Sequence, residues 1–312
     1  MALKLIVLLG AARSGTTFLG RTSLSRCSNL EYWGEPYHVW VHGHAYRKDD
    51  VLGADDATPE ISHYIRKRLE ERLAKSGKEF LLEKTPSNCL RIPFIREIFP
   101  EARFIHLFRD PAAAIASTVK EWRGDGHEAL DSKELRQGGR AVRVGKGMRA
   151  YLKIRERVED MTDLLELPAY LPRFIRFCMR NWTTGKDFTW GPRFPGMRAF
   201  RRTHTLHETC AEQWRWQVEG VLDHTADLGP DRLYTMSFED LMTNPEEQLK
   251  AVMNWMGGEM RLEVLKGIVK SVQSKRASGR DPLAGLPDQE RENIRAIVSP
   301  VASRMRLRKP SN

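Results

Sequence analysis

The chain has 312 residues, of which 41% are hydrophobic, and a formal net charge of +10. That hydrophobic share excludes disorder as a class, and the length admits one large α/β domain or two. The positive balance fits anionic partners (nucleotides, nucleic acid, acidic glycans or a membrane surface) without choosing among them. The four cysteines, Cys27, Cys89, Cys178 and Cys210, are far apart. Their spacing signals neither a disulfide framework nor a zinc site, which suits a reducing compartment, and a cytoplasmic location is expected.

Residues 3–19, LKLIVLLGAARSGTTFL, open with an apolar, β-branched run that breaks at Gly10 and resumes as a helical pattern at Thr16. A short signal peptide is the alternative reading of this start. The apolar run is brief, has one lysine before it and flows straight into ARSGTT, so it reads as the first core strand. No stretch approaches the ~20 apolar residues of a transmembrane helix. A helix is expected over 16–27, a strand over 30–33, a long amphipathic helix over 59–76 and a strand over 80–83. A helix over 92–99 follows, then a buried strand over 102–108 that ends at Arg109-Asp110. Pro111 stands where a first helical residue belongs, and a helix continues over 112–122. Strands alternating with helices argue for a parallel sheet with right-handed crossovers.

Residues 122–205 break this rhythm. Arg140, Arg143, Lys146, Arg149, Lys153, Arg155 and Arg157 face a single nearby acid, Glu156. A helix is expected over 151–166 and an aromatic-rich loop over 181–195. An insertion of this size on an α/β core suits acceptor recognition. Trp182, Trp190 and Phe194 could line a hydrophobic pocket there. Helical periodicity returns over 206–228 through Leu206, Cys210, Trp214, Val218 and Leu222. A strand over 232–238 follows, then a helix from Asn244-Pro245-Glu246 to Met256. The tail holds SKRASGRDP and a short helix after Pro287.

A buried strand, a glycine-bounded loop and a helix N-terminus form an anion site, because loop N–H groups and the helix dipole both favour negative charge. The loop nearly matches the P-loop pattern G-x-x-x-x-G-K-[ST]. Gly10 and Gly15 hold the glycine places and Thr17 the hydroxyl place, but Thr16 stands in the lysine place. Arg13 is the cation inside the loop. In open α/β sheets, ligands sit outside the carboxyl ends of the strands. The residues after the first four strands share a chemistry: Arg13, Thr16 and Thr17, then Glu35, Lys84 and Arg109. One carboxylate and three cations on one edge describe an anionic-ligand site with a base beside it. His38, His42 and His44 contain an H-x-H pairing, but no completing ligand lies nearby in sequence, so no metal is expected.

Three segments resemble the sulfotransferases that use 3′-phosphoadenosine 5′-phosphosulfate (PAPS). ARSGTTFL is similar to that family's 5′-phosphosulfate loop. FIHLFRDPAAAIAS is similar to its 3′-phosphate segment, with Arg109 at the strand end and Ser117 eight residues on. SKRASGRDP resembles its basic C-terminal loop. EKTP, residues 83–86, is similar to a motif of the carbohydrate-modifying branch, and YTMSFEDLMTNPEEQL to a segment of bacterial members. The resemblance implies a three-layer, P-loop-like α/β fold with a central parallel sheet, a single domain over 1–312 and the insertion at 122–205. It implies PAPS as co-substrate without a metal, and sulfuryl transfer to a small-molecule, glycan or lipid acceptor, with no nucleic acid as partner. Arg13, Ser14, Gly15, Thr16 and Thr17 would then hold the phosphosulfate, and Arg109, Ser117 and Arg280 the 3′-phosphate. Phe18 stands where relatives keep an aromatic against adenine, with a core phenylalanine as the equal alternative. Glu35 matches the base of the carbohydrate and tyrosine branches, with His38 as the other candidate base. Lys84 and Arg13 would offset charge on the leaving oxygen. The alternative is a P-loop nucleotide-binding protein or kinase with an atypical loop, which leaves Arg109 and Ser117 without a role.

Overall fold

The computed structural model describes residues 3–123, 189–273 and 281–307. Five strands form one parallel sheet: β1 (Leu5–Leu9), β2 (Leu30–Gly34), β3 (Phe80–Lys84), β4 (Arg103–Phe108) and β5 (Leu233–Ser237). Their order is β2-β3-β1-β4-β5, and each neighbouring pair is parallel. The described helices are α1 (Tyr37–Trp40), α2 (Pro59–Ser76), α3 (Ile92–Ile98), α4 (Pro111–Arg123), α5 (Met197–Thr203) and α6 (Leu206–His224). They continue with α7 (Phe238–Thr243), α8 (Pro245–Met256), α9 (Leu262–Gln273) and α10 (Asp288–Leu307).

The period of two along a strand builds the layers. Leu5, Val7 and Leu9 of β1 enter one core with Leu69 of α2, Phe94 of α3 and Val221 of α6. Ile6 and Leu8 enter the other with Leu19, Leu249 and Val252 of α8 and Leu265 of α9. β1 therefore reads as an unbroken apolar run because it is buried on both faces. The chain leaves β1 toward β2 and leaves β4 toward β5, in opposite directions along the sheet. In open α/β sheets such a divergence marks where a ligand crevice forms, here beyond the carboxyl ends of β1 and β4.

Helix α2 starts and stops where the sequence signals it. Thr58 Oγ1 accepts from Ile61 N at 3.4 Å, and Gly77 closes the helix at a φ of 65°. Other elements differ from expectation. The helix expected over 16–27 has only a short α start and widens into a π-helical turn over Phe18–Ser23, then tightens into a 3₁₀ turn over Leu24–Arg26. Gly20 lies on the wide turn, and a Cβ there would meet Tyr32 at 2.8 Å and Leu8 at 3.2 Å. The absence of a side chain lets this turn sit directly on the sheet. The third strand runs one residue further than expected because Lys84 pairs in register with Gly34. Helix α6 ends at His224, before Leu228.

The chain divides into two compact units, Met1–Ala116 with Gly191–Asn312, and Ser117–Trp190. Residues 191–205, expected within the insertion, fall in the first unit. There Phe194 is 3% exposed and its ring lies parallel to Trp216 at 6.2 Å, so it packs in the core and lines no pocket. The expected helix over 151–166, the run of seven cations and Trp182 lie outside the described residues. Among the described residues no helix is long and apolar enough to cross a membrane.

Candidate active site

The loop after β1 is tied down from below. Gly10 N donates to Cys89 Sγ at 3.3 Å, and Ala12 N to Gln217 Oε1 at 2.8 Å. Burial pushes the Cys89 thiol up to about 12, so it stays a neutral acceptor. A Cβ on Gly10 would lie 2.6 Å from Leu107 O, which leaves room only for glycine. Gly15 adopts a φ of +91°, and a Cβ there would lie 2.3 Å from the Phe238 ring. Arg13, with a φ of 67°, is left-handed without being a glycine. Such a residue costs about 1 kcal/mol or more and persists where the surroundings enforce it. Ser14 is buried, and its Oγ makes no hydrogen bond among the described residues. Thr16 is buried and Thr17 exposed at the start of the helical turn, whose first N–H groups lack intrahelical acceptors. An orphaned hydroxyl and a set of N–H donors fit an anion's oxygens.

Lys84 joins this loop to the acid after β2. Its side chain is 3% exposed, and Nζ donates to Glu35 Oε1 at 2.6 Å and to Thr17 Oγ1 at 3.2 Å. Successive strand residues point to opposite faces, and the Gly34–Lys84 register brings Glu35 alongside Lys84. Glu35 N donates to Lys84 O at 2.8 Å, and Glu35 has a φ of 59°. The described non-glycine residues with positive φ are Arg13 and Glu35, and both stand at this edge. His38 follows within α1, half-buried, in an edge-on contact with Trp33 whose ring centres lie 6.3 Å apart. His42 stacks on Tyr64 at 3.7 Å and His44 Nε2 lies 3.0 Å from Asp56 O, so these rings face separate neighbours.

Arg109 closes the other side of the crevice. Its Nη1 donates to Arg13 O at 2.9 Å, and its guanidinium lies 4.7 Å from the centre of the Phe238 ring. Burial lowers the Arg109 guanidinium from its ordinary value. Glu239 opposes that shift and the nearby charge of Arg13 adds to it. Two cations held close enough to repel favour an anion between them. Sequence reasoning missed Phe238 and Glu239, whose carboxylate accepts from Asp110 N at 3.0 Å. The rule of reading each strand's carboxyl end would have found both had it been carried to β5. Phe18 is half-buried and packs against the second core. Ser117 lies on α4 in the second unit, and Arg280 lies outside the described residues.

Behind Lys84, Glu83 is wholly buried. Burial pushes its carboxyl up to about 7, against hydrogen bonds from Thr85 and Trp40 and the charges of Lys84 and Arg91. Asp50 is also buried, which alone would raise it. Its hydrogen bonds from Arg193 and the charge of Arg91 bring it below the usual carboxylate range.

The fold and this edge define an α/β protein that gathers loop N–H groups and the cations Arg13, Lys84 and Arg109 at the carboxyl ends of its strands. The model of the sulfotransferase family matches residues 6–167 and 190–261. The chain belongs to the sulfotransferase family. Nodulation protein NoeE of Sinorhizobium fredii is 28% identical over 130 residues, a match that covers 37% of this chain. The match spans 31% of that relative's own length. Among solved structures, sulfotransferase STF9 from Mycobacterium avium superposes with a TM-score of 0.50 at 14% identity, covering 97% of this chain and 77% of that one. Mouse sulfotransferase SULT7A1, solved with PAP, gives a TM-score of 0.46 at 11% identity, covering 96% of this chain and 85% of that one.

Proposed function

We propose that this chain transfers a sulfuryl group from PAPS to a hydroxyl or amine acceptor by in-line displacement, with Glu35 as the base. The supporting observation is the placement of Lys84 Nζ, 2.6 Å from Glu35 Oε1 and 3.2 Å from Thr17 Oγ1. One buried cation touches both the carboxylate and the phosphate-type loop. The acceptor oxygen or nitrogen forms a bond to sulfur as the bond from sulfur to the donor's phosphate oxygen breaks. The electron pair stays on that phosphate, and Glu35 takes the acceptor's proton. Lys84 and Arg13 offset the charge that develops on the leaving phosphate. Ser14, Gly15, Thr16 and Thr17 hold the 5′ end of the donor, and Arg109 takes its 3′-phosphate. A carbohydrate acceptor is favoured by the glutamate after the second strand and by EKTP, both features of the carbohydrate branch that the sequence resembles.

Thermal melts test the donor. 3′-Phosphoadenosine 5′-phosphate (PAP) should raise the melting temperature, and ATP with magnesium should not. The reverse result replaces this reading with a kinase-like one. Glu35→Gln should abolish transfer, a loss of about 10²–10⁴ for a general base, while PAP still binds. Undiminished turnover in that variant would move the base to His38.

A further inference from the structure

Glu83 is 0% exposed, stands one residue before Lys84, and takes no part in the steps above. Its carboxylate is fully engaged. Oε1 accepts from Trp40 Nε1 at 2.9 Å and from Thr85 Oγ1 at 2.5 Å, and Oε2 accepts from Asn88 Nδ2 at 2.6 Å. These donors come from two stretches of chain, 37–40 and 85–88, and each donor abuts a different part of the site. Trp40 ends the short helix that begins just after Glu35-Pro36, and Trp40 N bonds to Pro36 O at 3.3 Å. Thr85 directly follows Lys84. Asn88 precedes Cys89, whose sulfur holds Gly10 N at the root of the loop.

We propose that Glu83 is a positioning residue whose carboxylate, through Trp40, Thr85 and Asn88, holds Glu35, Lys84 and the Gly10 loop in register with one another. The catalytic meaning of this brace rests on the function proposed above. The brace has a physical reason. Glu35 sits in a left-handed conformation that a non-glycine residue adopts only under outside constraint. A buried carboxylate with three donors supplies that constraint, because losing any donor leaves charge unsatisfied. An apolar residue at this position would fill the space but fix none of the three segments. The other possibility is that Glu83 serves the fold alone, and the two make different predictions.

Trp40→Phe and Thr85→Val each remove one donor and keep most of the packing. For each we expect kcat to fall about tenfold, as for a small misplacement of reacting groups, while PAP affinity stays within about twofold. Amide exchange in Trp40→Phe should quicken over residues 34–41 and stay unchanged in β1 and α6. Glu83→Gln is the conservative control. Its carbonyl can keep the Trp40 and Thr85 bonds. Asn88 can flip so that its Oδ1, which makes no hydrogen bond among the described residues, accepts from the new amide. Turnover near wild type in Glu83→Gln supports a brace made of hydrogen bonds. Unchanged kcat in both donor variants overturns the proposal, as does PAP affinity that falls in step with kcat. If the wild type transfers sulfuryl to no acceptor, the proposed function fails separately. Exchange over 34–41 then decides the brace alone: faster in Trp40→Phe upholds it, and unchanged refutes it.

Discussion

Replacing Glu83 with glutamine should change how stability depends on pH. The folded carboxyl sits at about 7 against an ordinary value of 4.5, and the group is fully buried. Below 4.5 both the folded and unfolded chains hold the proton, and Glu83 costs nothing. As pH rises from there, the unfolded chain releases its proton first, so the group's contribution to stability is lost progressively until pH passes 7. At 1.36 kcal/mol per pKa unit the full cost is about 3 kcal/mol, of which about 1 kcal/mol is present at pH 5. Glutamine carries no such cost, and the Asn88 flip keeps its hydrogen bonds. The melting temperature of Glu83→Gln relative to wild type should therefore rise between pH 5 and pH 8 by about 2 kcal/mol of stability. With an unfolding entropy of ~2 cal/mol/K per residue, this is about 3 °C for a chain of 312 residues. Paired melts of the two proteins across that range make the measurement, and titrating groups that do not interact with Glu83 cancel in the difference. A gap that stays constant with pH, or narrows toward pH 8, would refute the reasoning.

Three further changes probe the site. Lys84→Met should lower kcat about 10²–10³-fold, the loss typical of a donor aimed at developing charge. Its stability should change by less than the ~3–5 kcal/mol of a broken buried pair, because Glu35, at 35% side-chain exposure, can hydrate. Single-turnover transfer and thermal melts check both, and more than a tenth of wild-type turnover removes Lys84 from the chemistry. Arg109→Ala should weaken PAP binding by about 10–100-fold, as for a charge-assisted bond of ~1.5–3 kcal/mol. Calorimetry showing equal affinity would take Arg109 out of the phosphate site. Gly15→Ala should cost about 1–3 kcal/mol and impair PAP binding, since the new Cβ meets Phe238 at 2.3 Å with φ at +91°. Adding Phe238→Ala should restore part of the melting temperature, and a Gly15→Ala protein that melts and binds like wild type would contradict the loop geometry.

Much of the edge was legible because its chemistry is local. A strand that is apolar throughout, two glycines five residues apart and a polar residue after each strand can be read without knowing what lies across the sheet. The same rule stopped one strand short, which is why Phe238 and Glu239 went unseen. Gln217 left no local signal, since it caps the loop from 205 residues away. Phe194 looked like a pocket aromatic because aromatic character alone cannot separate a core ring from a lining ring. Its partner, Trp216, is supplied by α6.

Sequence alone determined the order of the five strands, the longer helices between them, the glycine-bounded loop and the family resemblance, since period, turn chemistry and motif spacing are properties of short stretches; it left α1, α5, α7 and α9 unread. The tertiary structure decided which charges meet. Glu83 and Lys84 are neighbours in the chain, but alternation along β3 sends one into a closed hydrogen-bond network and the other across to Glu35 and Thr17. Lys84 and Glu35 lie 49 residues apart, and only the register of β2 on β3 brings them to 2.6 Å.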